Sequence, residues 1–288
     1  MNHDQAKYLR QSLKQKLNDH KGHTIAIVSG KGGVGKSNIA VNFTLELINQ
    51  QKSVLLIDLD VGMGNIDILL GLSAKYTIID MIKQRMPIDT IVERGPNNIS
   101  YIAGGNTLEQ LFALSNDDAN YFLKQYENIQ RYYDYIIFDL GAGASQDSLF
   151  FILASDECFV VTTPEPTSIT DAYGMIKHIL TLDQTIPIYL IMNRMTSKKQ
   201  GEQTMKRFQN VVKQFLNYEV QALGYLPYDP KVTDAVMKQT PLLMNRKRSS
   251  MARGIRQMTH HFLTKKRTDN HNNKLSFIDK FKLLLTKR

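Results

Sequence analysis

Ile25-Ala26-Ile27-Val28-Ser29-Gly30-Lys31-Gly32-Gly33-Val34-Gly35-Lys36-Ser37 is the stretch from which the rest of the chain can be read. Its apolar, β-branched start predicts a buried strand. A glycine-rich turn follows, and a helical pattern covers 36–50. Gly30, Gly35, Lys36 and Ser37 match G-x-x-x-x-G-K-[ST]. The spacing has a physical reason. Glycines let consecutive backbone N–H groups curl around anionic oxygens. The turn then meets a helix N-terminus, whose dipole favours negative charge. Lys36 comes within reach of β- and γ-phosphates, and the Ser37 hydroxyl suits Mg²⁺. Gly30, Lys31, Gly32, Gly33, Val34, Gly35, Lys36, Ser37 and Asn38 are therefore the expected cradle for ATP or ADP.

Downstream of the loop, strands and helices alternate. Near-continuous apolar runs predict strands at 24–29, 53–58, 99–103, 134–139, 157–162, 187–193 and 221–226. Helical periodicity covers 77–85, 117–131, 145–154, 167–183, 198–217, 229–239 and 249–265. This pattern predicts an α/β, doubly wound, mostly parallel sheet with helices on both faces. Ligands of such sheets bind beyond the carboxyl ends of the strands, where each motif below falls. Three segments are expected: an N-terminal arm over 1–23, the main domain over 24–265, and a linker with a terminal helix over 266–288.

Those strand ends carry the remaining candidates. Asp58 and Asp60 close the second strand, with Gly62 and Asn65 just beyond. The run Tyr135-Ile136-Ile137-Phe138-Asp139 is an apolar strand ending in an acid. After a phosphate loop, such an acid is expected to hold Mg²⁺ through water, so the metal set is Ser37, Asp58 and Asp139. Gly141-Ala142-Gly143 follows as a turn that can change between nucleotide states.

Of the chain's 288 residues, 42% are hydrophobic, and its net charge is +9. The charge lies at the ends: +3 over 1–23 and +11 over 245–288, against −5 over 24–244. Basic ends call for an anionic partner. No apolar run approaches the roughly 20 residues of a spanning helix. The polar, lysine-bearing start lacks the core of a secretory signal. The one cysteine, Cys158, fits a reducing cytoplasm. It also argues against iron–sulfur or zinc chemistry, unless a symmetric oligomer shares the site.

Both ends look amphipathic. Over 4–17, Ala6, Leu9, Leu13 and Leu17 share one helical face. In the last fourteen residues, Phe277, Ile278, Phe281, Leu284 and Leu285 do the same. Such a helix with flanking lysines can lie in a bilayer interface, or it can pack on its own domain.

Lys31 ahead of Gly32-Gly33-Val34-Gly35-Lys36-Ser37 resembles the deviant Walker A loop of the MinD/ParA class of ATPases. That resemblance implies a homodimer in which Lys31 reaches the partner's nucleotide. Lys31, Lys36 and Asp60 would then be catalytic, with Asp60 orienting the attacking water and Asp58 supporting the metal's water shell. It further implies that Asn193 and Arg194, with the loop holding Pro227 and Asp229, contact adenine. The terminal helix is similar to the class's membrane-targeting helix. This implies reversible attachment to the inner leaflet of the cytoplasmic membrane.

The arm Asp4-Gln5-Ala6-Lys7-Tyr8-Leu9-Arg10 resembles that of the FlhG (YlxH) flagellar placement ATPases. That likeness implies a signal-recognition-type GTPase partner, FlhF, contacted through Gln5, Leu9 and Arg10. Flagellar switch-complex proteins are further candidate partners. Two other outputs stay open on the same scaffold: a MinD-type division-site regulator and a ParA-type DNA-partitioning ATPase. A nucleic-acid partner is not expected, because no separate DNA-reading domain is present and the last helix has a wide apolar face.

Overall fold

The computed structural model describes residues 21–60, 64–105, 115–143, 145–246, 248–266 and 275–286. Eight strands form one sheet in the order β3-β4-β2-β5-β1-β6-β7-β8. They are β1 (His23–Ser29), β2 (Val54–Leu59), β3 (Glu93–Arg94), β4 (Ser100–Ile102), β5 (Tyr135–Ala142), β6 (Glu157–Thr162), β7 (Ile188–Met195) and β8 (Gln221–Pro227). All neighbours pair in parallel except β3 with β4. The central strands are buried on both faces, which explains their unbroken apolar runs.

One face is covered by α1 (Lys36–Asn49), α2 (Ile66–Leu70), α9 (Pro230–Met237), α10 (Leu242–Asn245) and α11 (Ser250–Lys266). Helices α3 (Ile78–Gln84), α4 (Ile88–Ile91), α5 (Asn116–Gln130), α6 (Gln146–Ala154), α7 (Pro166–Leu182) and α8 (Lys198–Leu216) pack on the other. The doubly wound α/β fold is as the alternation predicts. Four short elements, β3, α2, α4 and α10, go beyond it; at two to five residues they are too short to display a period. The arm residues Gln5, Leu9 and Arg10 lie outside the described residues.

The last helix takes the second of the two placements open to it, packing on its own domain. Helix α12 (Phe277–Leu285) lies against the face of α6 and α5. Phe277, Ile278 and Phe281 are buried, and Leu284 and Leu285 are half-buried against the same core. The Phe281 ring meets Phe151 at 5.1 Å and Phe150 at 5.9 Å, and Phe277 stacks on Phe138 at 5.1 Å. Lys280 Nζ donates to the Ser155 carbonyl at 3.1 Å, and Ser276 with Asp279 forms a capping box. The apolar face expected to meet a bilayer is therefore occupied by the domain itself. Burying Phe277, Ile278 and Phe281 against the domain is worth roughly 5–8 kcal/mol relative to water. Among the described residues, no helix is long and apolar enough to cross a membrane.

Candidate nucleotide site

Strand register builds the site. β1 ends in the phosphate loop, and β5 lies between β1 and β2. Asp58 on β2 is the register partner of Asp139 on β5, so two carboxylates stand side by side at the carboxyl edge. Both are buried, at 1% and 0% exposure. Lys36, at the first turn of α1, reaches under the loop and donates to Asp139 Oδ1 at 2.6 Å. Asp60 Oδ2 is 3.9 Å from the same ammonium.

Asp58 is further fixed by backbone donors. Its Oδ1 accepts from Asp60 N at 2.9 Å, and its Oδ2 accepts from Asn65 N at 2.9 Å. Burial, with the Asp139 charge second, still pushes its carboxyl up to about 7. Burial also raises Asp60, with Lys36 opposing and Asp139 adding to the shift.

The loop glycines have separate reasons. Gly35 caps α1 at φ 94°, a left-handed conformation that only glycine adopts without strain. A side chain there would also meet Asn193 Nδ2 at 2.6 Å. At Gly30 the reason is space, because a Cβ would collide with the Asp171 backbone in α7.

The start of α1 has neither a side-chain cap nor an acid in its first turn. Its free N–H groups face the loop, which is what an anionic phosphate completes. Around them lies a cleft of about 580 Å³, lined by Gly32, Gly33, Lys36, Ser37, Asn38 and Asp60 among others. Asp139 Oδ2 is buried without a hydrogen-bond partner. That orphan oxygen, with the Ser37 hydroxyl, suits Mg²⁺, which keeps several waters and takes few protein ligands.

Other expected residues are arranged differently. Lys31 turns away from its own loop: its Nζ donates to Thr167 Oγ1 at 3.2 Å and stands 3.9 Å from Glu165. Asn193 touches the loop from behind, donating to the Val34 carbonyl at 2.7 Å. Arg194, Pro227 and Asp229 stand at the ends of β7 and β8, outside the lining of the phosphate cleft. The Asp229 carboxylate is engaged in joining α9 to α11, accepting from Lys231 N, Ser250 Oγ and Met251 N. Burial opposes its charge, but those donors hold its carboxyl below the usual range. Only its backbone and neighbours are left to face a purine.

Ser145, Ser148, Phe151 and Val236 line the cleft but escape the sequence reading. Thr167 and Glu165 escape it too. Ser145 as the N-cap of α6 was the one readable signal, since a serine precedes a helical run there.

Known proteins resemble this arrangement over most of its length. The ParA family model, described as a NUBPL iron-transfer P-loop NTPase, matches residues 20–263. "Antiactivator FleN" of Pseudomonas aeruginosa is 33% identical over 228 residues, covering 79% of this chain and 81% of that protein. "Flagellum site-determining protein YlxH" of Helicobacter pylori is 35% identical over 197 residues, covering 68% of this chain and 66% of that protein. The solved MinD cell division protein of Aquifex aeolicus superposes with a TM-score of 0.66 at 25% identity, covering 88% of this chain and all of that one. With the family model matched over residues 20–263 and a relative 33% identical over most of both chains, the chain belongs to the ParA/MinD family of P-loop ATPases.

Proposed function

We propose that this chain is an ATP-driven dimerising switch that controls the placement and number of flagella. The observation that carries the switch is Lys31. Its side chain is 45% exposed and spends its charge on Thr167 and Glu165 rather than on its own phosphate site. A cation so held is available to a second copy. The rim supports the same reading: Ile68 and Val236 line the cleft, and Met237 beside them is 81% exposed. The flagellar output rests on YlxH, whose name gives it flagellum site determination, and on the Gln5–Arg10 arm.

In this mechanism Lys36 exchanges Asp139 for the β- and γ-phosphates. The loop N–H groups and the α1 N-terminus hold the oxygens. Ser37, Asp139 and Asp58 would hold Mg²⁺, which would supply charge neutralisation. Asp60 orients the attacking water. Gly141 leaves room for it, because a Cβ there would lie 3.0 Å from Asp60 Oδ1. Lys31 of the second copy adds positive charge as the terminal phosphoryl leaves. Iron transfer is not carried over, since the single cysteine, Cys158, is buried and burial pushes its thiol up.

Membrane attachment is the further step. It requires α12 to leave its groove, with Phe277, Ile278, Phe281, Leu284 and Leu285 entering the inner leaflet's interface. Phe151 supports such coupling, because it lines the cleft and meets Phe281.

Size exclusion with ATP and Mg²⁺ tests the switch. Asp60→Ala is expected to accumulate as a dimer and Lys31→Ala to stay monomeric. A monomeric Asp60→Ala protein that still binds ATP overturns the switch. The arm has its own assay: Gln5→Ala should abolish stimulation of an FlhF-type GTPase while ATP hydrolysis stays intact.

A further inference from the structure

At the opposite pole, beneath the amino-terminal ends of β2 and β4, lies a second cavity of about 920 Å³. Small-molecule sites run from about 300 to 1,000 Å³, and nothing in the switch mechanism uses this one. Its charge is unusual for its surroundings. Lys52, Arg94 and Arg131 line it, against the single carboxylate of Asp89 among the described lining residues. Helices α1 and α5 both end here, and each C-terminus adds about −0.5 of a charge. Asp134 stands directly behind the lining, accepting from Ser53 N at 2.8 Å and Ser53 Oγ at 2.9 Å, so three cations against two carboxylates and two helix ends come to about zero. The segment 24–244 around it carries −5, so the cavity is less negative than its surroundings.

Its other groups are of a different kind. The amides of Asn98, Gln125 and Asn128 can pair with a polar ring edge. Gln125 is already fixed by accepting from Ile88 N at 3.0 Å. Tyr132, 57% exposed at the rim, presents a ring face, and the Arg131 guanidinium sits 5.2 Å from its centroid. Gln51 lies just past the end of α1, and Asn97 and Asn98 form the turn before β4, at left-handed φ of 61°, 56° and 59°.

We propose that this cavity binds a small phosphorylated molecule of about mononucleotide size. Lys52 and Arg94 take the phosphate, and Tyr132 stacks on the ring. A bare apolar pocket would need none of these cations, and an extended anion such as a nucleic acid would need a charged track rather than one compact cluster.

The test uses the full chain with its phosphate-loop cleft saturated by ADP and Mg²⁺. AMP and inorganic pyrophosphate are titrated in by calorimetry at fixed ionic strength. Both probes are expected to bind once per chain. Arg94→Ala and Lys52→Ala should each weaken both about tenfold, the usual worth of a charged hydrogen bond. Tyr132→Ala should weaken AMP about tenfold and leave pyrophosphate unchanged. ATP hydrolysis should stay at the wild-type rate in all three, since none lies near the loop. Arg94→Gln replaces Arg94→Ala if thermal unfolding shows that the alanine variant does not fold. The proposal is overturned if neither probe binds the ADP-loaded chain, or if both bind the Arg94 and Lys52 variants as tightly as wild type. Binding of pyrophosphate without AMP overturns the assignment of the ring.

Discussion

Asp58 and Asp139 are direct register partners, and their shared burial sets how the site responds to pH before nucleotide binds. The Asp58 carboxyl rises from 3.8 to about 7, by burial first and the Asp139 charge second. In that window it is protonated when folded and ionised when unfolded. Its contribution to stability is therefore complete below about pH 4 and is lost as pH rises through about 7. Without nucleotide, the urea midpoint should fall between pH 5 and pH 7.5. Asp58→Asn should remove much of that fall, and an unchanged slope would refute the assignment. The sequence made Asp58 legible as a strand-end acid. It could not reveal the raised carboxyl, because that follows from a pairing of β2 with β5 that no local pattern encodes.

At the scale of elements, α12 marks where periodicity stops informing. Five residues on one face show that a helix needs burial, without naming what buries it. Here the neighbour is an aromatic cluster from α5, β5 and α6, including Phe122, Phe138 and Phe151. Phe281→Ala should cost about 3–5 kcal/mol, as for a large-to-small change in a core. A thermal scan of the full chain should show a clear fall in midpoint, whereas a solvated membrane arm would give almost none. Phe122→Ala, which loosens the groove from the domain side and leaves the helix face intact, should sediment with anionic liposomes in ADP more than wild type does. The strands and long helices of the fold were otherwise legible, since each spans enough residues to show its period.

For the molecule as a whole, the issue is which surface a second copy meets. The carboxyl edge combines the phosphate cleft, the outward Lys31 and an apolar rim with Met237 at 81% exposure. Met237→Glu should leave monomer stability within about 0.5 kcal/mol, as for an ordinary surface change. It should nonetheless prevent the proposed ATP-dependent dimer from forming, as light scattering would read. A Met237→Glu protein that dimerises normally would move the interface elsewhere. Lys31 was legible from the sequence as an extra cation, but its rest on Thr167 was not. That contact spans 136 residues and depends on α7 being pressed against the loop at Gly30.

That leaves the 2.6 Å pair of Lys36 and Asp139. An empty phosphate loop with a bare lysine would be a standing trap for any stray anion. Here the lysine already has a built-in counter-ion, so the site works as an ion exchanger. An incoming nucleotide must displace a carboxylate, and the displaced carboxylate is then ready for the magnesium that travels with it. Nucleotide without metal would strand Asp139 in the interior with no cation. In the proposed cycle the cleft would thereby favour the magnesium complex over the free anion, and Lys36 would return to Asp139 each time product leaves.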